Sequence, residues 1–259
     1  MNKIVKNKKY YLFFDLDYTI SVADSPLSNN VVNAINSAQK NGHKVFINTG
    51  RALSCVKENI LSPIKWDGII SGLGAHILIN GKEVYNKSIP FEIIMNIATE
   101  CFNRKQNCIF EGVEEVVKIN ATKDSLFTTK YLPETLTDFE NIIKDLHFSK
   151  ITFMGITPQW FYDKYNNYFT IVKHDTYEET AFKGYSKATG IEILKDILTF
   201  NIDETISFGD SNNDIEMLNY THINVVMGQA DHSLKGNASY VTDTFENDGV
   251  AVFIEKYLL

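Results

Sequence analysis

Lys9-Tyr10-Tyr11-Leu12-Phe13-Phe14-Asp15-Leu16-Asp17-Tyr18-Thr19 is the stretch on which the fold turns. Tyr10 to Phe14 run without a polar break, which suits a short strand buried on both faces, as in a parallel sheet covered by helices. The run stops at two carboxylates one residue apart, followed by a threonine. A strand ending in acids delivers them to the carboxyl edge of its sheet, where open α/β folds bind ligands. Charges that border an apolar interior cost roughly several kcal/mol each unless a cation or donors meet them. Asp15 and Asp17 therefore call for a metal, for water, or for both.

Outward from this strand the pattern repeats. A polar loop, Ser21 to Ser28, leads to a predicted helix over Asn29–Asn41. Val31, Ala34, Ile35 and Ala38 share one face of it, and Asn41-Gly42 ends it. A second strand, Lys44–Ile47, runs into Asn48-Thr49-Gly50-Arg51, and Ala52 onward reads as another helix. Asp67–Ser71 reads as a third strand. Strand, polar turn and helix at this spacing suit right-handed βαβ crossovers.

The rhythm then changes. Ile77–Ile79, Asn80-Gly81 and Glu83–Tyr85 form a hairpin signal, because Asn-Gly suits tight primed turns. Beyond Pro90 the sequence predicts a helix over Phe91–Asn103, strands at Cys108–Phe110 and Val113–Ile119, and a loop-and-helix stretch broken by Pro133. A strand over Ile151–Ile156, a helix over Pro158–Asn166 and a strand over Tyr168–Lys173 follow. This mixture suggests an α+β insert. The first rhythm returns at Lys187, with a helical stripe at Ile191, Leu194, Ile197 and Leu198. Strands follow at Thr205–Phe208 and Ile223–Gly228, then an apolar helix over Gly249–Leu259. The predicted class is α/β: a Rossmann-like parallel-sheet core, residues 1–80 and 184–259, with residues 81–183 inserted as an α+β cap.

Composition limits the function. With 259 residues and 44% hydrophobic content the chain can bury a real core. A net charge of −7 argues against a general nucleic-acid binder. A small phosphorylated molecule is compatible, since a few cations and backbone N–H groups suffice to hold one. The three cysteines, Cys55, Cys101 and Cys108, show no Cys-x-x-Cys spacing and read as free thiols. No run approaches the ~18 apolar residues of a membrane span, and the basic start lacks a signal-length apolar segment. A soluble cytoplasmic protein is expected, with no obligate protein partner evident. The six histidines are scattered without metal spacing. Trp160-Phe161-Tyr162 with Tyr165 reads as core in preference to a ring-binding pocket.

A second acidic site mirrors the first. Phe208 closes an apolar strand, and Gly209-Asp210-Ser211-Asn212-Asn213-Asp214 follows. If a helix begins near Ser211, Asp210 and Asp214 point toward the same end of the sheet. Taken alone, Asp210 and Asn213 also read as ordinary helix caps. Beside Asp15 and Asp17, they suggest a hard divalent cation with oxygen ligands, Mg²⁺ first among them. Thr49-Gly50 offers a hydroxyl and a backbone N–H at a helix start, an anion seat. Lys187 opens a helix, where a cation is unfavourable against the dipole unless an anion sits beside it.

Asp15-x-Asp17-x-Thr19, Thr49-Gly50-Arg51, Lys187 and Gly209-Asp210-x-x-Asn213-Asp214, in that order, resemble the haloacid dehalogenase-like phosphatases. The long insert resembles the Cof-type branch, as do Gly190-Ile191 and Asn247-Asp248-Gly249-Val250. The resemblance spans essentially the whole chain. It implies that Asp15 is the nucleophile and Asp17 the general acid and base. It implies Mg²⁺ held by Asp15, the Asp17 backbone carbonyl and Asp210, with Asp214 supporting the metal's water shell. Thr49, Gly50, Lys187 and Asn213 would hold the phosphoryl oxygens, and Arg51 would position substrate or loop. The implied activity is Mg²⁺-dependent hydrolysis of small phosphomonoesters, sugar phosphates foremost. Two alternatives stay open: a phosphosugar mutase or phosphotransferase, and a sugar-phosphate-binding regulator with weakened catalysis. Two departures stand out. Tyr18 replaces the usual Gly, and Leu73-Gly74-Ala75 stands where the branch commonly has Asn-Gly-Ala.

Overall fold

A computed structural model describes residues 3–121, 129 and 131–259. Among these the strands are, in chain order, β1 (Tyr11–Phe14), β2 (Lys44–Asn48), β3 (Gly68–Ser71), β4 (His76–Ile79), β5 (Lys82–Asn86), β6 (Cys108–Gly112), β7 (Val116–Ile119), β8 (Phe148–Met154), β9 (Phe169–Lys173), β10 (Tyr177–Phe182), β11 (Thr205–Gly209), β12 (Ile223–Val226) and β13 (Tyr240–Val241). The helices are α1 (Asn29–Lys40), α2 (Glu58–Leu61), α3 (Phe91–Arg104), α4 (Leu136–Ile143), α5 (Gln159–Tyr165), α6 (Lys187–Leu198), α7 (Ile215–Tyr220), α8 (His232–Lys235) and α9 (Gly249–Tyr257). The chain divides into two compact units. One comprises Met1–Gly50, Val56–Tyr85 and Ser186–Leu259; the other comprises Arg51–Cys55 and Asn86–Tyr185. The fold class is the one expected: α/β, with a parallel-rich sheet core and an inserted α+β unit.

In the first unit the sheet order is β13-β12-β11-β1-β2-β3-β4-β5. β1 pairs in parallel with both β11 and β2, so the Tyr10–Phe14 run is central. Leu12, Phe13 and Phe14 are fully buried, which is why no polar residue interrupts them. Phe13 faces one layer with Phe46, Ile70, Ile191 and Leu194, against α6. Phe14 faces the other, stacked on Phe208 at 4.7 Å, and Phe208 in turn meets Phe253 of α9 at 5.3 Å. α1 begins where Ser28 Oγ accepts the Val31 N–H at 3.1 Å, and it buries Val31, Ala34, Ile35 and Ala38, the predicted face. β3 and β4 are antiparallel, the hairpin side of the sheet.

The second unit is an antiparallel sheet, β7-β6-β8-β10-β9. One face carries Phe110 and Phe153, packed on Phe139 of α4 and Phe161 of α5 with ring centroids 5.0 Å apart in each pair. Of the Trp160–Tyr165 aromatics read as core, Phe161 and Tyr165 are buried, whereas Trp160, edge-on to Phe153, and Tyr162 are only half-buried. The opposite face carries Glu111, Lys150, Thr152 and Glu179, paired across β6, β8 and β10.

Several local expectations need correction. Ala52 onward is not one helix: a 3-10 turn at Leu53–Cys55 precedes the single turn of α2. β7 starts at Val116 rather than Val113, because the chain turns after Gly112 and Gly112 N–H donates to Glu115 O at 3.0 Å. The stretch around Pro133 lies partly outside the described residues; its helix is α4, opened by a capping box between Thr135 and Asp138. β10 escaped prediction because Glu178-Glu179 looks like loop. Both carboxylates are largely buried there by partners, Glu178 accepting the Thr157 N–H at 2.8 Å and Glu179 bonding Lys150 at 2.5 Å.

Candidate active site

Three neighbouring parallel strands, β11, β1 and β2, are followed directly by Asp210, Asp15 and Thr49 respectively. The ladder extends one residue past β1, with Asp15 N–H donating to Phe208 O at 3.1 Å. Asp15 therefore leaves the sheet at its carboxyl edge while only 3% exposed. Asp15, Asp210 and Asp214 each place a carboxylate oxygen within 4.8 Å of the others.

Lys187 lies among them. Its side chain is fully buried, and Nζ donates to Asp15 Oδ1 at 2.5 Å, Asp214 Oδ1 at 2.6 Å and Asn213 Oδ1 at 3.3 Å. Burial works against the ammonium, but Asp15 and Asp214 outweigh it and hold the lysine pKa above its ordinary value. This explains a cation in the first turn of α6, where Ser186 Oγ caps the Ala188 and Thr189 N–H groups. Asp214 Oδ2 accepts the Asp210 and Ser211 N–H groups at 3.0 and 3.2 Å. A Cβ on Gly209 would lie 2.6 Å from the Asp214 Cγ, so only glycine lets this carboxylate sit there.

The charge balance favours a cation. Burial first, and then Asp214, push the Asp15 carboxyl well above the usual range despite Lys187. The same two causes raise Asp210 to about 7. Closely set hard oxygen donors that are reluctant to ionise suit a small divalent cation, whose positive charge would restore the ionised forms. The donor set thus fits Mg²⁺. The Asp17 side chain is not one of the three clustered carboxylates; it is half-buried beside them, close enough that its charge raises both Asp15 and Asp210.

Other candidates distribute unevenly. Thr49 is buried, and its N–H donates to Ile70 O at 2.9 Å. Gly50 follows it in the same unit. Arg51 groups with the inserted unit, where its guanidinium donates to Cys55 O at 3.3 Å. Tyr18 does adopt the left-handed backbone, φ 58°, yet its ring is 53% exposed and does not fill the acid cluster. Leu73 also has positive φ, 56°, and is buried near Gly50, a packing residue in place of a polar one.

Two supporting residues, Asn48 and Thr19, are given no role by the sequence reading. Asn48, fully buried, donates from Nδ2 to the Lys187 carbonyl at 3.0 Å and so fixes the start of α6. Thr19 Oγ1 donates to Asp210 Oδ1 at 3.4 Å. The signal for Asn48 was a polar residue closing an apolar strand. Gly74 and Gly190 meet backbone to backbone: a Cβ on Gly74 would lie 2.7 Å from the Gly190 nitrogen. This contact seats α6 against the loop after β3.

Residues 12–254 match the model of the haloacid dehalogenase-like hydrolases. YkrA of Bacillus subtilis, which bears a provisional phosphatase name, is 27% identical over 251 residues, 95% of this chain and 96% of that one. YitU of the same organism, a 5-amino-6-(5-phospho-D-ribitylamino)uracil phosphatase, is 24% identical over 98% of this chain and 99% of its own. Among solved structures, a sugar phosphatase of subclass IIB of the superfamily superposes with a TM-score of 0.79 at 24% identity, covering 97% of this chain and all of that one. The chain belongs to the haloacid dehalogenase-like hydrolase family. It is an enzyme, a phosphatase of that family. Among the described residues no helix is long and apolar enough to cross a membrane.

Proposed function

We propose that this chain hydrolyses small phosphomonoesters, sugar phosphates foremost, with Mg²⁺ and through an aspartyl-phosphate on Asp15. The observation that carries the reading is the Lys187 ammonium 2.5 Å from Asp15 and 2.6 Å from Asp214, with Asp210 beside them at adjacent strand ends. The substrate class leans on the sugar phosphatase with the same fold. YitU keeps phosphorylated ribityl compounds among the candidates.

Lys187 holds one Asp15 oxygen, leaving the other to attack phosphorus. As the Asp15 O–P bond forms, the ester P–O bond breaks, and Asp17 gives its proton to the departing alkoxide. Asp17 then takes a proton from water, whose oxygen attacks phosphorus and releases inorganic phosphate, restoring Asp15. Thr49 Oγ1, the Gly50 N–H, Lys187 and Asn213 hold the phosphoryl oxygens as charge shifts during transfer. Mg²⁺, held by Asp15, the Asp17 carbonyl and Asp210, would neutralise the acids and the phosphoryl oxygens. Asp214 serves that set by orienting Lys187 and the Asp210 backbone. The inserted unit acts as the cap that selects the leaving group. Arg51 would position substrate or loop.

Release of inorganic phosphate from a panel of phosphorylated sugars, polyols and nucleotides, with Mg²⁺ or with EDTA, tests the proposal. Wild-type turnover should need the metal, and Asp15→Asn should abolish it. Undiminished turnover in Asp15→Asn rejects the mechanism. Recovery of a relocated phosphate without free phosphate would make the enzyme a mutase.

A further inference from the structure

Tyr18 holds a left-handed backbone, φ 58°, which is strained for a residue that carries a Cβ. Both of its peptide planes are pinned. Its N–H donates to Ser21 O at 2.7 Å, and its carbonyl accepts from Gln229 Nε2 at 2.6 Å. The other end of that amide, Gln229 Oε1, accepts the Phe245 N–H at 2.9 Å. The Phe245 ring meets the Tyr18 ring edge-on, with centroids 6.5 Å apart. One exposed glutamine therefore joins three loops far apart in sequence: residues 15–21, the turn after β12, and the 3-10 turn Phe245–Asn247. The peptide plane fixed at the Tyr18 nitrogen is the one that carries the Asp17 carbonyl.

We infer that Gln229 is a positioning residue for Asp17, bracing the strained Tyr18 backbone so that the Asp17 carboxyl stays aimed at the leaving oxygen. The inference rests on the reading of Asp17 as proton donor. Core packing does not account for Gln229, which is exposed and spends both ends of its amide on other loops. A brace for the general acid matters in proportion to the leaving group's need for a proton. An alkoxide needs one; a nitrophenolate leaves without it.

The test compares kcat for a primary alkyl phosphate and for p-nitrophenyl phosphate in wild type, Gln229→Met and Gln229→Glu. Methionine keeps the length without either polar atom. Glutamate can still accept from Phe245 but cannot donate to Tyr18. Both variants should lose about tenfold on the alkyl ester, the weight of one well-placed hydrogen bond in the transition state. They should stay within about twofold on the aryl ester. Equal losses on both esters, or no loss on either, overturn the inference while leaving the phosphatase reading intact. A wild-type protein that releases phosphate from neither ester, in Mg²⁺, overturns that reading and this inference with it.

Discussion

Lys187→Met removes the ammonium that sits among Asp15, Asp210 and Asp214. At an effective dielectric of ~20, each of its two short contacts is worth about 6 kcal/mol. Desolvation of the three ions costs several kcal/mol apiece, so the intact triad comes out roughly even. Removal does not. Asp15 and Asp214 stay buried, with side chains 4% and 0% exposed, and have lost their counter-charge. Stripping one partner from a buried pair costs about 3–5 kcal/mol, a large share of a typical stability of about 5–15 kcal/mol. Urea unfolding in EDTA should therefore show a much lower midpoint for Lys187→Met. Neutralising the orphan should restore part of the loss: Lys187→Met/Asp214→Asn should be more stable than the sum of the two single changes by about 1–2 kcal/mol. Activity should not follow. Loss of a preorganised donor to the phosphoryl oxygens costs about 10²–10³ in kcat, and the double variant should remain as slow as Lys187→Met. A wild-type midpoint for Lys187→Met, or strict additivity in the double variant, would refute the reasoning.

Glu179 gives a pH-dependent counterpart in the inserted unit. Burial alone would push its carboxyl up, but Lys150 and His174 outweigh burial and hold it at about 2, against an ordinary 4.5. That difference corresponds to ~3 kcal/mol. A depressed carboxyl contributes its stability above pH 4.5 and loses it as pH falls toward 2. Glu179→Gln should accordingly unfold earlier than wild type at pH 7, with the gap closing between pH 4.5 and 2; a gap independent of pH in paired denaturation curves would contradict this. Gly190→Ala would place a Cβ 2.4 Å from Ile70 Cγ2 and 2.9 Å from the Gly74 Cα. It should cost about 1–3 kcal/mol and, by lifting the start of α6, at least about tenfold in kcat. Normal turnover in a folded Gly190→Ala would show that Lys187 is not seated by this contact.

How much was legible in the sequence follows from the range of each interaction. An apolar run stopped by acids reports local facts, a doubly buried strand and its carboxyl end, and β1 stands where Tyr10–Phe14 predicts it. β10 was illegible because its Glu178-Glu179 pair is made strand-compatible by partners elsewhere, Thr157 on the loop after β8 and Lys150 on β8 itself. The Ala52 stretch misled in the opposite direction, since its local propensity suited a helix that the chain does not build. At the site, the residues bearing charge could be named one by one, but their assembly could not be derived from any single motif. Asp15, Thr49 and Asp210 meet only because β1 lies between β11 and β2, an order of strands that no local pattern encodes. Asn48 belongs to the same class: its amide serves Lys187, 139 residues away in sequence, and its meaning appears only once α6 is docked. Lys187 is the instructive middle case. A cation in a helix's first turn is locally wrong, and that local wrongness is a sign of an anion beyond the helix. Where a residue contradicts its own secondary structure, the compensating charge must come from tertiary contact. Here it comes from Asp15, just past the end of β1, and Asp214, in the turn before α7.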